Sequence, residues 1–87
     1  LAVSWNTLGV ALYPLGDPKG AEGAWQRAVA LDGKQYDALY NLGLVAASAG
    51  QKGEARKALR QFVATAPQAR FAKDIARAQG ILQELGS

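Results

Sequence analysis

Cysteine and histidine are both absent from the chain. Without thiols or imidazoles it can form no disulfide, no zinc site of the usual thiolate or imidazole type, and no cysteine nucleophile or histidine general base. The seven carboxylates are scattered along the sequence, and no acid/base pair is expected to converge. We therefore expect no catalytic residues, no metal site and no cofactor, and a role in binding rather than catalysis.

Long apolar runs are also absent. No stretch approaches the roughly 20 apolar residues of a membrane span, and no secretory signal pattern is present. The chain has 87 residues, 49% of them hydrophobic and 20% charged, which predicts a single small folded domain. It begins at Leu1 rather than at methionine, so we expect it to be a fragment of a longer protein.

The net charge of +3 comes entirely from residues 36–87, which carry seven basic and four acidic side chains. Lys52, Arg56 and Arg60 recur every four residues, with Lys57 beside them, and form a basic stripe on one predicted helix. Nucleic-acid sites usually interleave aromatic or amide groups with such charges, and this stripe lacks them. We interpret the stripe as a solvated helix face, and nucleic-acid binding as the weakest alternative.

The strongest pattern is an internal repeat. When the sequence is aligned with itself so that Leu8 meets Leu42, it gives seven identities without a gap, namely Leu8/Leu42, Gly9/Gly43, Gly16/Gly50, Ala21/Ala55, Ala24/Ala58, Val29/Val63 and Ala30/Ala64. Within each unit the apolar residues recur at spacings of three and four, as in helices. A period of about 34 residues indicates one supersecondary unit stacked on the next.

Five helices follow from these spacings and from the stop and start signals between them. We expect them near residues 2–13, 18–30, 36–49, 52–65 and 68–85. Asp17 and Pro18 are a strong helix start, because aspartate is a preferred N-cap and proline fits the first helical position. The predicted fold class is all-α, with antiparallel helix-turn-helix repeats arranged as an alpha-alpha superhelix.

These residues resemble the tetratricopeptide repeat, a helix-turn-helix unit with the same period. The matching positions in the first helices are Trp5, Leu8, Gly9 and Leu12, and then Leu39, Leu42, Gly43 and Ala46. Those in the second helices are Ala21, Trp25, Ala28 and Gly33, and then Ala55, Leu59, Phe62 and Pro67. The resemblance implies repeats at residues 2–35 and 36–69 and a capping helix at 70–86.

Packing is the role that the resemblance gives to most of these positions. The set we expect to be structural is Trp5, Leu8, Gly9, Ala21, Trp25, Ala28, Leu42, Gly43, Ala55, Leu59 and Pro67. Glycine and alanine at helix crossings let the backbones approach. Phe62 departs from the motif, since the first repeat has Ala28 there. We expect its ring to thicken the last core layer against Phe71 or Ile75 rather than to contact a ligand.

A concave groove lined by the first helix of each pair is the candidate binding site. The resemblance assigns to it Asn6, Val10, Tyr13, Asp37, Tyr40, Asn41 and Leu44, with Asp74, Ala78 and Ile81 at its far end. Apolar, aromatic and amide side chains together suit an extended peptide or a helix face. Family members that clamp acidic tails use lysines, asparagines and an arginine, and of that set Asn41 is the clear match.

Two main functions are consistent with these features. The first is a protein-interaction scaffold that binds a partner peptide or helix in the concave groove. The alternative is a structural or oligomerisation appendage at the end of a larger multidomain protein, for instance a bacterial enzyme, where the exposed apolar residues serve self-association or docking. The enrichment in alanine, glycine and arginine is typical of GC-rich bacteria. Neither the partner nor the compartment follows from the fold.

Overall fold

The computed structural model describes residues 2–13 and 15–86, with the backbone alone for residues 2–4 and 18. They form five α-helices: α1 (Ala2–Leu12), α2 (Pro18–Leu31), α3 (Tyr36–Ser48), α4 (Lys52–Thr65) and α5 (Gln68–Glu84). The predicted all-α fold is confirmed. Across the described residues, no helix has both the length and the apolar character that crossing a membrane requires.

The helix ends follow from local chemistry. Asp17 caps α2, because its Oδ1 accepts a hydrogen bond of 2.9 Å from the backbone N–H of Gly20. Gly16 and Gly50 follow α1 and α3 with φ of 84° and 78°, a left-handed conformation that costs side-chain-bearing residues about 1 kcal/mol or more. The turn that ends the first helix is therefore built in the same way in both repeats.

Each helix packs on the next in chain order, and α5 also contacts α3. The buried residues Phe71, Ile75 and Ala78 of α5 have the same spacing as the buried Ala38, Leu42 and Val45 of α3. Helix α5 therefore packs on α4 much as α3 packs on α2. Each of the three lies one position earlier than the repeat period would place it, and a non-helical Phe71 (φ −119°, ψ 26°) lies in the first turn of α5.

The core has two apolar clusters. One joins the two repeats and consists of Ala21, Trp25, Ala28, Ala38, Leu42, Val45 and Ala58. The other joins the second repeat to α5 and consists of Leu39, Leu59, Phe62, Phe71, Ile75 and Ala78. Phe62 is fully buried, and its ring meets that of Phe71 edge to face at 5.7 Å. The expectation that Phe62 thickens the last core layer is confirmed.

Two helical glycines mark the crossings within the repeats. A Cβ atom on Gly43 would lie 2.6 Å from Cγ of Leu59, and one on Gly9 would lie 2.6 Å from Cε2 of Trp25. Both distances are too short for real atoms, so a side chain at either position would force the facing side chain to repack or the partner helix to move.

Leu8 differs from the prediction that it packs in the core, because its side chain is 42% exposed. Its counterpart Leu42 is only 5% exposed and belongs to the cluster that α3 forms with α2. Among the described residues, no helix lies against the corresponding side of α1. Leu8 therefore occupies a packing position without a packing partner.

Arg56 also differs from its prediction. It is part-buried, and its Nη1 donates a hydrogen bond of 3.1 Å to the backbone carbonyl of Leu85, just after α5. A cation at a helix C-terminus is also stabilised by the helix dipole. The basic stripe therefore does not form a uniformly solvated face, since Arg56 fastens the end of α5 to α4.

We expect Arg56→Ala to loosen the end of α5 by about 1 kcal/mol, because both the hydrogen bond and the charge are lost. Native-state hydrogen exchange should then be about fivefold faster for the amides of residues 81–85. Lys57→Ala removes a neighbouring exposed cation and should leave these amides unchanged. Equal exchange in Arg56→Ala and the unaltered protein would contradict this role.

Candidate functional site

The turn after α1 and helices α2, α3 and α5 line a pocket of about 220 Å³, which we name the Leu44 pocket. Its lining consists of Tyr13 just after α1, Trp25 of α2, Asn41, Leu44, Val45 and Ser48 of α3, and Arg77 of α5. Trp25 is nearly fully buried and has its ring 6.3 Å from that of the half-exposed Tyr13. Among the described residues that line the pocket, Arg77 is the charged one.

An apolar hollow of about 450 Å³ adjoins this pocket at the ends of α1 and α3. It shares Tyr13, Val45 and Ser48 with the Leu44 pocket and adds Gly16 and Ala49. The two hollows therefore lie side by side, and the second is the more apolar of the two. Together they can receive apolar side chains, while Asn41 and Ser48 offer hydrogen bonds at the edge.

A second, more polar pocket lies toward the opposite ends of α1, α3 and α5, and we name it the Asn6 pocket. Its volume is about 250 Å³, and its lining is Asn6, Lys34, Gln35, Tyr36, Asp37, Arg70 and Phe71. The Oδ1 atom of Asn6 is buried and has no hydrogen-bond partner among the described residues. An unpaired buried acceptor is costly, and a donor can reach this one only if the Asn6 side chain turns toward the pocket.

The structure divides the residues predicted to line the concave groove. Tyr13, Asn41 and Leu44 meet in the Leu44 pocket, whereas Asn6 and Asp37 meet in the Asn6 pocket.

Val10 and Tyr40 belong to neither pocket. Val10 is 53% exposed on the part of α1 between the two. The ring of Tyr40 lies 5.1 Å from that of Phe62 and packs on the second core cluster, so its prediction as a free groove residue is only partly met.

The far end of the groove also differs from expectation. Ala78 is fully buried in the second core cluster, and Ile81 packs against that cluster. Arg70 and Arg77 line the two pockets instead. The cause is the shift of α5 by one residue, which turns Ala78 inward. An alignment of the α5 sequence with that of α3 in which Phe71 matches Ala38 would have predicted this shift.

A third depression lies on the other side of the molecule, between α2 and α4, and we name it the α2–α4 groove. Its volume is about 360 Å³, with α3 as its floor; the lining residues are Gln26, Val29, Ala30, Leu39, Leu42, Glu54, Lys57, Ala58 and Gln61. The sequence did not predict this groove, because the basic stripe on α4 was interpreted as a solvated helix face.

Two stacked helix pairs and a capping helix define this chain as a helical-repeat protein. The family model described as the tetratricopeptide repeat matches residues 6–70, well over half of the chain. The chain therefore belongs to the tetratricopeptide repeat family, as its sequence pattern predicts. No curated protein matches it. Repeats of this family generally serve as non-catalytic protein–protein interaction modules.

Proposed function

We propose that this chain binds a peptide or helix of a partner protein in its concave groove, with the Leu44 pocket as the main anchoring point. The observation that carries the proposal is the meeting of Tyr13, Asn41 and Leu44 around one open pocket. An apolar pocket with a few convergent polar groups is the usual form of a binding site.

Apolar contact supplies the anchor. Leu44 is only partly buried, Tyr13 is 48% exposed, and the buried ring of Trp25 lies beneath them. A leucine or aromatic side chain of the partner would cover these surfaces, and such fully desolvated central contacts dominate interface energies.

Polar groups around the Leu44 pocket would determine the direction in which a partner peptide binds and the class of peptide that binds. The side-chain amide of Asn41 can donate hydrogen bonds to an extended backbone and accept hydrogen bonds from it. Arg77 attracts a carboxylate placed next to the anchoring side chain. We therefore expect ligands in which an apolar residue adjoins aspartate or glutamate.

The test is selection of peptides from a random displayed library on the unaltered protein, with Leu44→Glu as the counter-selection. Peptides with an apolar residue beside an acidic one should be enriched, and binding should alter the fluorescence of Trp25. Leu44→Ala and Asn41→Ala should each weaken binding about tenfold or more. Arg77→Gln should weaken only those peptides that carry the acidic residue.

Gln83→Ala is the matched control, because Gln83 is an exposed residue of α5 outside both pockets. It should bind the selected peptides like the unaltered protein. Failure to enrich any peptide, or equal affinity in Leu44→Ala, Asn41→Ala and Gln83→Ala, would overturn the proposal. Thermal melts of each variant separate lost binding from lost folding.

A further inference from the structure

The outer side of the first helix pair, as far as the structure describes its side chains, exposes apolar residues. We name it the open face and define it by Leu8 and Ala11 on α1 and by Gly20, Gly23, Arg27 and Leu31 on α2. Leu8 is 42% exposed and Leu31 is 56% exposed. The open face shares no residue with the Leu44 pocket or the Asn6 pocket. It is therefore a separate surface from the proposed peptide site.

The equivalent positions of the second repeat, on α3 and α4, face α2 within the same molecule. The pairs related by the repeat are Leu8/Leu42, Ala11/Val45, Gly20/Glu54, Gly23/Lys57, Arg27/Gln61 and Leu31/Thr65. Leu42 and Val45 are buried against α2. Glu54, Lys57 and Gln61 hold their polar side chains at the α2–α4 groove.

On the open face α2 carries fewer polar side chains at these positions, although the Asp17 carboxylate lies against Gly20 and Arg27 remains. Two glycines replace Glu54 and Lys57, and Leu31 replaces Thr65. A Cβ atom on Gly23 would meet nothing within 4 Å, so the surface there is open. Another helix can therefore approach α2 more closely here than α4 approaches it on the other side. Such a surface favours a packed helix over water.

The charges on α2 indicate which kind of helix could pack on the open face. Asp17 precedes the first turn and Arg27 lies in the second half, where its guanidinium stands 5.1 Å over the Trp5 ring. When α2 pairs with a copy of itself in antiparallel fashion about a two-fold axis near residue 22, Arg27 comes level with the partner's Asp17. Gly20 and Gly23 then lie on either side of the axis. A parallel pairing would instead oppose like charges.

We propose that the open face is the interface of a two-fold symmetric dimer, in which α2 packs antiparallel on α2 of a second copy and Leu8 and Leu31 become buried. An interface of this kind uses the same patch on both copies and closes on itself. A head-to-tail contact between the open face and the outer side of α5 would leave free surfaces and build filaments.

Sedimentation equilibrium over a wide concentration range tests the proposal on the unaltered protein, on Gly23→Lys and on Gly80→Lys. Both glycines lie inside helices with open space around them, so both variants should fold. The unaltered protein and Gly80→Lys should form dimers and no larger species. Gly23→Lys should raise the dimer dissociation constant at least about a hundredfold, because it buries an unpaired charge in the interface.

A monomer at every concentration overturns the proposal, and it would indicate that the open face receives a helix of other origin. Equal dissociation constants for Gly23→Lys and the unaltered protein would overturn it too. Loss of association in Gly80→Lys, or larger oligomers, would overturn it in favour of head-to-tail assembly.

A double-mutant cycle tests the antiparallel register. Asp17→Asn keeps a good N-cap and removes the charge, and Arg27→Gln removes the opposing charge. Each should weaken the dimer about threefold, and the double variant should be no weaker than either single one, because the same two symmetry-related ion pairs are lost in all three. Additive effects would contradict the register.

Discussion

Replacing Phe62 with alanine is expected to destabilise the fold by about 3 to 5 kcal/mol. Phe62 is fully buried in the second core cluster, between the rings of Tyr40 at 5.1 Å and Phe71 at 5.7 Å. The substitution removes buried apolar surface and leaves a cavity that helices α3, α4 and α5 cannot all close. A domain of this size has a total stability of about 4 to 13 kcal/mol, so the substitution should remove between about a quarter and all of it.

Urea unfolding followed by tryptophan fluorescence measures the effect. Phe62→Leu is the control, because leucine retains most of the buried volume and should cost about 1 to 2 kcal/mol. We expect the amides of α5 to lose their protection from hydrogen exchange first in Phe62→Ala, since this cluster is what holds α5. A loss below about 1 kcal/mol in Phe62→Ala would contradict the assignment of Phe62 to the core.

Substitution of Gly43 has the second large expected effect. Gly43→Ala should destabilise the protein by about 1 to 3 kcal/mol and Gly43→Leu by at least as much, although alanine is the better helix former. The added Cβ would come within 2.6 Å of Cγ of Leu59, which is fully buried. Either the Leu59 side chain repacks within the core or helix α4 moves away from α3, and both lose packing.

Gly80→Ala is the matched control for this prediction. Gly80 lies inside α5 with nothing within 4 Å of an added Cβ, so the substitution should stabilise the helix by about 0.5 to 1 kcal/mol. The two glycine-to-alanine changes therefore move the melting temperature in opposite directions, by about 4 to 8 °C for each kcal/mol. A change of the same sign in both variants would show that the close approach at Gly43 is not rigid.

The helix-pair architecture could be predicted because the same residues serve the same purpose twice. Gly9 and Gly43 both lie under a large side chain of the paired helix, and Gly16 and Gly50 both end a first helix in the left-handed conformation. These requirements are steric and local, so each repeat carries them directly in its sequence at the same positions.

The candidate binding surface was less predictable, because it depends on how α5 is aligned with the repeats and not on a sequence motif. The one-residue shift of α5 buries Ala78 and brings Arg77 to the Leu44 pocket. Phe62, which is larger than its counterpart Ala28, contacts Tyr40 and thereby holds it on the core cluster. Both changes arise from packing between residues that are distant in the sequence. Neither the repeat period nor the amino-acid composition predicts such packing.

Chemical-shift mapping can show directly whether a partner peptide is anchored in the Leu44 pocket. A peptide selected on the unaltered protein would be titrated into ¹⁵N-labelled protein. We expect the largest amide shifts at Asn41, Leu44 and Ser48, and we expect them to disappear in Leu44→Glu. Shifts centred instead on Lys57 and Gln61, which line the α2–α4 groove, would contradict the proposed anchoring.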